Sequence, residues 1–231
     1  MISILIVGKG NVGTLLNEAF HSIDTLNVQW ISSRDLIAIP KTDITIIAVS
    51  DDAIETVSSK ISTDFVVHTS GSMPLSALKN NTRKGVFYPL QTFSKNKKVD
   101  FTQIPFCLEA TTEKDEKLLE KLAGFLSKKI YYISSEQRKA IHVAAVFANN
   151  FTNHMYKIAH DICNTHQIPI EILNPLINET AEKIKVLPPA LAQTGPAIRK
   201  DVATIKNHLF LLTEKQQEIY TTLTKSIQND T

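Results

Sequence analysis

Gly8, Gly10 and Gly13 stand in VGKGNVG, directly after the apolar run ISILIV at 2–7 and directly before a stretch of helical character. That context suits a dinucleotide's phosphates. The first glycine permits a tight turn, the second lets the backbone approach a pyrophosphate, and the third lets the helix pack closely on its strand. The amides of Asn11 and Val12 then project from a helix N-terminus, whose dipole favours an anion. The competing reading is a tight strand-to-helix turn that binds nothing. Where an NAD-type site carries an acidic residue, about twenty residues past the glycines, the chain reads Ser32-Ser33-Arg34. Two hydroxyls and a guanidinium suit a 2′-phosphate, because arginine makes charge-assisted and often bidentate bonds to it. Asp35 as a ribose ligand is the alternative, and the pattern favours NADP as coenzyme.

Candidate substrate-facing groups follow the next apolar runs. Val49 and Ser50 would pack against ribose and nicotinamide. Ser70 and the Gly71 backbone would donate hydrogen bonds to a carbonyl or imine, with a helix cap as the other use of Ser70. Gln91 and Thr92 follow the run ending at Tyr88. Further on, His142, Asn150 and His154 are spaced by eight and four, which places them within about 120° on one side of a regular helix, with Asn149 and Asn153 as a neighbouring stripe. A buried amide without partners costs about 1–3 kcal/mol, so these asparagines should bond to substrate, coenzyme or the next helix. His142 is the candidate general acid because histidine exchanges protons near neutral pH; Lys139 is a weaker one. Arg199, in TGPAIRKD at the expected first turn of a helix, would bind a carboxylate or phosphate, complete a neighbouring subunit's site, or merely pair with Asp201. His160, Cys163 and His166 recur every third residue but drift by about 60° per step, so no metal site is expected.

The elements that must position these groups have two textures. From Met1 to Ile133, short runs such as VQWIS at 28–32, ITIIAV at 44–49, FVVHT at 65–69 and VFY at 86–88 alternate with helical stretches. Nearly unbroken apolar strands are those covered on both faces, and the alternation predicts an α/β fold with a Rossmann-type doubly wound parallel sheet over 1–133. A further strand, helix, strand unit is expected from FCLEA at 106–110 to KIYYI at 129–133. Residues 134–166 contain no proline or glycine, which predicts one helix about 50 Å long, capped by Ser134 or Ser135. Helices then continue from Pro169 and from Thr213, so 134–231 is expected to be an all-α substrate and dimerisation domain. A net charge of +2 gives no field to attract nucleic acid or a membrane surface. Two distant cysteines suit a reducing compartment, and with Met1 leading straight into a strand the expected location is cytoplasmic.

VGKGNVG, IIAVSDDAI, VVHTSGS, YPLQTFS, HVAAVFANNF and TGPAIRKDVATIKNHL, in that order, resemble an uncharacterised bacterial family of Rossmann-like proteins with a conserved C-terminal helical domain, often labelled NADP oxidoreductases. That family is similar in architecture to pyrroline-5-carboxylate reductase, the deazaflavin-dependent NADP reductases and the 3-hydroxyacid dehydrogenases. The resemblance spans nearly the whole chain and implies a fold, a coenzyme class and a homodimer through the helices, but no substrate. The 3-hydroxyacid dehydrogenases carry Lys-x-x-x-Asn on the corresponding helix. Here the residues four before Asn149 and Asn150 are Ala145 and Val146, and neither can transfer a proton. Hydroxyacid oxidation therefore gives way to reduction of a small imine, enamine or keto compound held between Ser70, Gln91, His142 and Asn150, with electrostatic positioning ahead of a dedicated acid. The alternative is an NADP(H) sensor without turnover.

Overall fold

The computed structural model describes residues 1–37, 39–94 and 98–229. It divides into two compact units, Met1–Val146 and Phe147–Thr231. The first carries β1 (Ile2–Val7), α1 (Asn11–His21), β2 (Leu26–Ile31), β3 (Ile44–Ile47), α2 (Ile54–Ser58), β4 (Phe65–His68), β5 (Arg83–Pro89), β6 (Phe106–Ala110), α3 (Glu113–Gly124), β7 (Ile130–Tyr132) and α4 (Ser135–Ala145).

The strands form one sheet in the order β2-β1-β3-β4-β5-β6-β7. Their unbroken apolar character has a direct cause, since alternate side chains of β1 enter different cores. Ile4 and Ile6 pack with Leu16 and Phe20 of α1 and with Leu119 and Leu122 of α3, while Leu5 and Val7 pack with Ile54 and Val57 of α2 on the other face. The parallel order is broken once. β6 starts at the end of the sheet where β5 stops, Pro89 pairing with Phe106, so no crossover is made and this pair runs antiparallel. β1 lies between β2 and β3, so the connections leave its two sides in opposite directions. The carboxyl ends of β1 and β3 therefore open the crevice in which open α/β sheets bind ligands.

The second unit, by itself, is helical: α5 (Thr152–Thr165), α6 (Asn174–Lys183), α7 (Pro189–Ala192), α8 (Val202–Phe210) and α9 (Glu214–Asn229). Ser134 caps α4 in a full capping box with Gln137. The helical run from Ser135 to Thr165 is not the single regular helix expected, because Val146–Phe151 is π-helical. A π turn holds an extra residue, which changes the phase of everything after it. The shared stripe expected for His142 and Asn150 presumed an unbroken 3.6-residue pitch, which this segment does not keep, and Asn149 and Asn150 are exposed rather than buried among apolar neighbours. Arg199 is likewise displaced from its expected helical turn. It lies in a turn before α8, whose N-cap is Asp201, the carboxylate accepting the Thr204 amide at 3.1 Å. Among the described residues no helix is long and apolar enough to cross a membrane.

Candidate active site

A cleft of about 540 Å³ lies at the carboxyl ends of the first unit's strands. Its floor is the turn between β1 and α1. Gly8 has φ +124°, and a Cβ there would stand 2.1 Å from the Ala48 carbonyl oxygen; one on Gly13 would stand 2.2 Å from the Gly8 oxygen. Both positions are closed to any side chain. Gly10 differs, with nothing within 4 Å of its missing Cβ, so its backbone faces open space. Gly10 is also the N-cap of α1, with no side-chain cap and no acidic residue in the first turn. An uncapped helix start beside open space fits a phosphate group.

Neighbouring residues hold this turn. The Trp30 indole N–H donates to the Gly8 carbonyl at 2.8 Å, with Lys9 Nζ 5.2 Å from the indole centroid, and the Asn11 amide donates to the Phe93 carbonyl at 2.9 Å. After β2 the chain turns, Ser32 Oγ accepting the Arg34 amide at 3.2 Å. Ser33 lines the cleft, and Arg34 and Asp35 are exposed beyond it.

After β4, Ser70 Oγ accepts the backbone amides of Ser72 at 3.1 Å and Met73 at 3.0 Å. It caps a turn, the structural use weighed against a catalytic one, although here no helix follows directly. The Ser72 hydroxyl donates to the Asp51 carboxylate across the cleft. His68, fully buried, accepts the Ser70 amide on Nδ1 at 3.1 Å. Burial, reinforced by the Arg138 charge, lowers its pKa to about 4, so it is a neutral prop of the turn rather than a proton carrier near neutrality.

The far wall is set by α4. Arg138, 1% exposed, pairs with Glu109 of β6 and donates to the Met73 carbonyl at 2.6 Å. Ser135 Oγ donates to Glu109 at 2.9 Å and accepts the Leu75 amide at 2.9 Å. These bonds tie α4 to the sheet and to the 70–75 turn, and one helical turn past Arg138 they deliver His142 to the cleft. His142 Nδ1 is 3.2 Å from the Tyr88 hydroxyl.

The cleft thus gathers Gly8, Gly10, Asn11, Val12, Ser33, Val49, Ser50, Ser70, Gly71, Gln91 and His142. Gly13 packs behind the turn, and Thr92 donates its amide to the Gln91 side chain at 2.8 Å. Lys139 is exposed and is not among the lining residues. Asn150 and Arg199 belong to the second unit. Sequence reasoning did not single out Tyr88, Glu109 or Arg138. A glutamate inside the otherwise apolar FCLEA strand, and an arginine four residues before His142, were the available signals.

A family model described as a domain of unknown function, DUF2520, matches residues 104–227. No curated protein matches the chain by sequence. Among solved structures, a Bacteroides fragilis protein described provisionally as an NADP oxidoreductase is 35% identical, with 99% of this chain and 98% of that one covered and a TM-score of 0.87. An imine reductase from Bacillus cereus is 12% identical, with 99% and 92% covered and a TM-score of 0.60. A Plasmodium falciparum pyrroline carboxylate reductase with NADP bound is 12% identical, with 98% of each chain covered and a TM-score of 0.56. With these last two, similarity extends to the fold alone.

Proposed function

The chain belongs to the DUF2520 family, and from that premise we propose that it is an NADP-dependent oxidoreductase reducing a small imine, enamine or keto compound by hydride transfer. The observation that carries this reading is the glycine turn. Two glycines closed to any side chain flank a third that faces open space at an uncapped helix start, all at the sheet's switch point. In this reading the amides at the start of α1 hold the pyrophosphate, Ser32, Ser33 and Arg34 hold the 2′-phosphate, and Val49 and Ser50 lie along the ribose and nicotinamide. When bound, NADPH supplies the hydride. The Ser70–Gly71 turn, Gln91, Thr92 and His142 bind and orient the substrate. The name of the 35%-identical Bacteroides fragilis protein supports the same coenzyme and reaction class.

Calorimetry with NADPH and NADH, followed by NADPH consumption across cyclic imines and 2-oxo acids, tests the reading. Preferential NADPH binding with turnover is the expected result. Absence of binding to either coenzyme overturns it, and tight binding without turnover on any compound points instead to an NADP(H) sensor.

The active form is proposed to be a homodimer built through the helical unit. Among the described residues of that unit only Cys163 and Ala197 are buried, whereas Phe147, Phe151, Ile172, Leu176, Leu191 and Phe210 are exposed. Apolar surface of this extent on a helical unit with so small a core supports that reading.

A further inference from the structure

Gly71 is not required by its backbone, since its φ lies outside the left-handed region. It is required by its neighbours. A Cβ at this position would stand 2.6 Å from His142 Nδ1, 2.7 Å from Tyr88 Cζ and 2.8 Å from the Tyr88 hydroxyl oxygen. The phenol and the imidazole therefore rest directly on the backbone of the 70–72 turn, their rings edge-on at 66° with centroids 6.3 Å apart.

Two proton arrangements are open to the 3.2 Å contact between the Tyr88 hydroxyl and His142 Nδ1. Tyr88 is 9% exposed, and its hydroxyl makes no other hydrogen bond among the described residues. If Nδ1 carried the ring proton, the phenol would accept it and its own proton would have no protein acceptor among the described residues, a loss of about 1–3 kcal/mol where water is kept out. Donation from the phenol to Nδ1 avoids that loss. Burial, with Cys107 adding to it, keeps the phenol protonated by pushing its pKa up to about 12. With Nδ1 accepting, the ring carries its proton on Nε2, and His142 lines the same cleft as Gly10, Ser70 and Gln91. The His142 side chain makes no second hydrogen bond among the described residues, so Nε2–H is left to an occupant of the cleft.

We propose that Tyr88 is a positioning residue that holds His142 as the Nε2–H tautomer, so that His142 presents a hydrogen-bond donor and selects a substrate offering an acceptor oxygen, a carbonyl or a carboxylate, at that point. The proposal rests on reading the cleft as an oxidoreductase site, and within that reading it favours a keto compound. A protonated imine would set its own N–H against the Nε2–H.

The imidazole nitrogen resonances of ¹⁵N-histidine-labelled protein at neutral pH test the tautomer without any ligand. Wild type is expected to show His142 with a bare Nδ1 and a protonated Nε2. Tyr88→Phe, and Gly71→Ala with its displacing methyl group, are expected to give averaged nitrogens in protein whose circular dichroism is unchanged. A wild-type His142 protonated on Nδ1, or averaged, overturns the proposal even if the variants fail to fold. With NADP⁺ present, titration with 2-oxo acids should shift the His142 Nε2 resonance and titration with pyrrolidinium should not; a shift with pyrrolidinium, or with neither, overturns the acceptor site. Calorimetry with NADPH on the same samples keeps the two readings apart, since loss of coenzyme binding with the tautomer intact would refute the oxidoreductase reading and not the tyrosine–histidine pair.

Discussion

Arg34 is exposed one residue beyond Ser33, which lines the cleft, and in the proposed reading it is the charged member of the set that holds the 2′-phosphate. A hydrogen bond to a charged group contributes about 1.5–3 kcal/mol. Arg34→Ala is therefore expected to weaken NADPH binding by about tenfold or more while leaving NADH binding unchanged, as read by calorimetry. His68 sets a second expectation. Its folded pKa of about 4 lies below the ordinary 6.5, so between those values the unfolded chain takes up a proton that the folded chain refuses. Stability is accordingly full above the ordinary value and falls as pH drops toward 4, by about 3 kcal/mol at most. Urea midpoints at neutral pH and near pH 4 should show this loss, and His68→Gln should flatten it. At this scale the glycines were legible, because a type that tolerates φ +124° and a carbonyl oxygen about 2 Å from where a Cβ would stand is diagnostic. Tyr88 was not, because its partner His142 lies 54 positions away.

At the scale of elements, α4 is the part that decides where His142 stands, and its anchor is the Arg138–Glu109 pair with Ser135. Removing one partner of a buried ion pair leaves an uncompensated charge, at a cost of about 3–5 kcal/mol. Glu109→Ala is expected to lower stability toward the bottom of that range, since the glutamate side chain is 18% exposed, and to reduce turnover more than coenzyme affinity. Denaturant titration, with calorimetry alongside, measures both. Ser134→Ala, which removes only the capping box, is expected to cost about 1 kcal/mol. The cap and the apolar strands were readable because each depends on residues within a few positions. The π-helical segment at Val146–Phe151 was not, since VFANNF carries no proline or glycine to mark the change of pitch. The antiparallel β5–β6 pair was hidden for a related reason. Strand direction depends on where the connection lands, and strand composition does not record it.

For the whole molecule, the exposed apolar side chains of the helical unit predict association. Sedimentation or light scattering is expected to give twice the chain mass, and Leu176→Asp, which places a charge on that surface, should give monomer with the sheet unit still folded. The amino-acid order by itself determined the α/β class, the glycine turn after the first strand and the helical second half, because those follow from local periodicity and from backbone conformations that only certain residues adopt. Tertiary structure alone decided that Glu109 and Arg138 anchor the helix bearing His142, that Ser70 caps a turn, and that Tyr88 meets His142 over Gly71. Each of those facts joins residues distant along the chain, and hydrogen bonds between distant residues exist only once the sheet has brought them within about 3 Å.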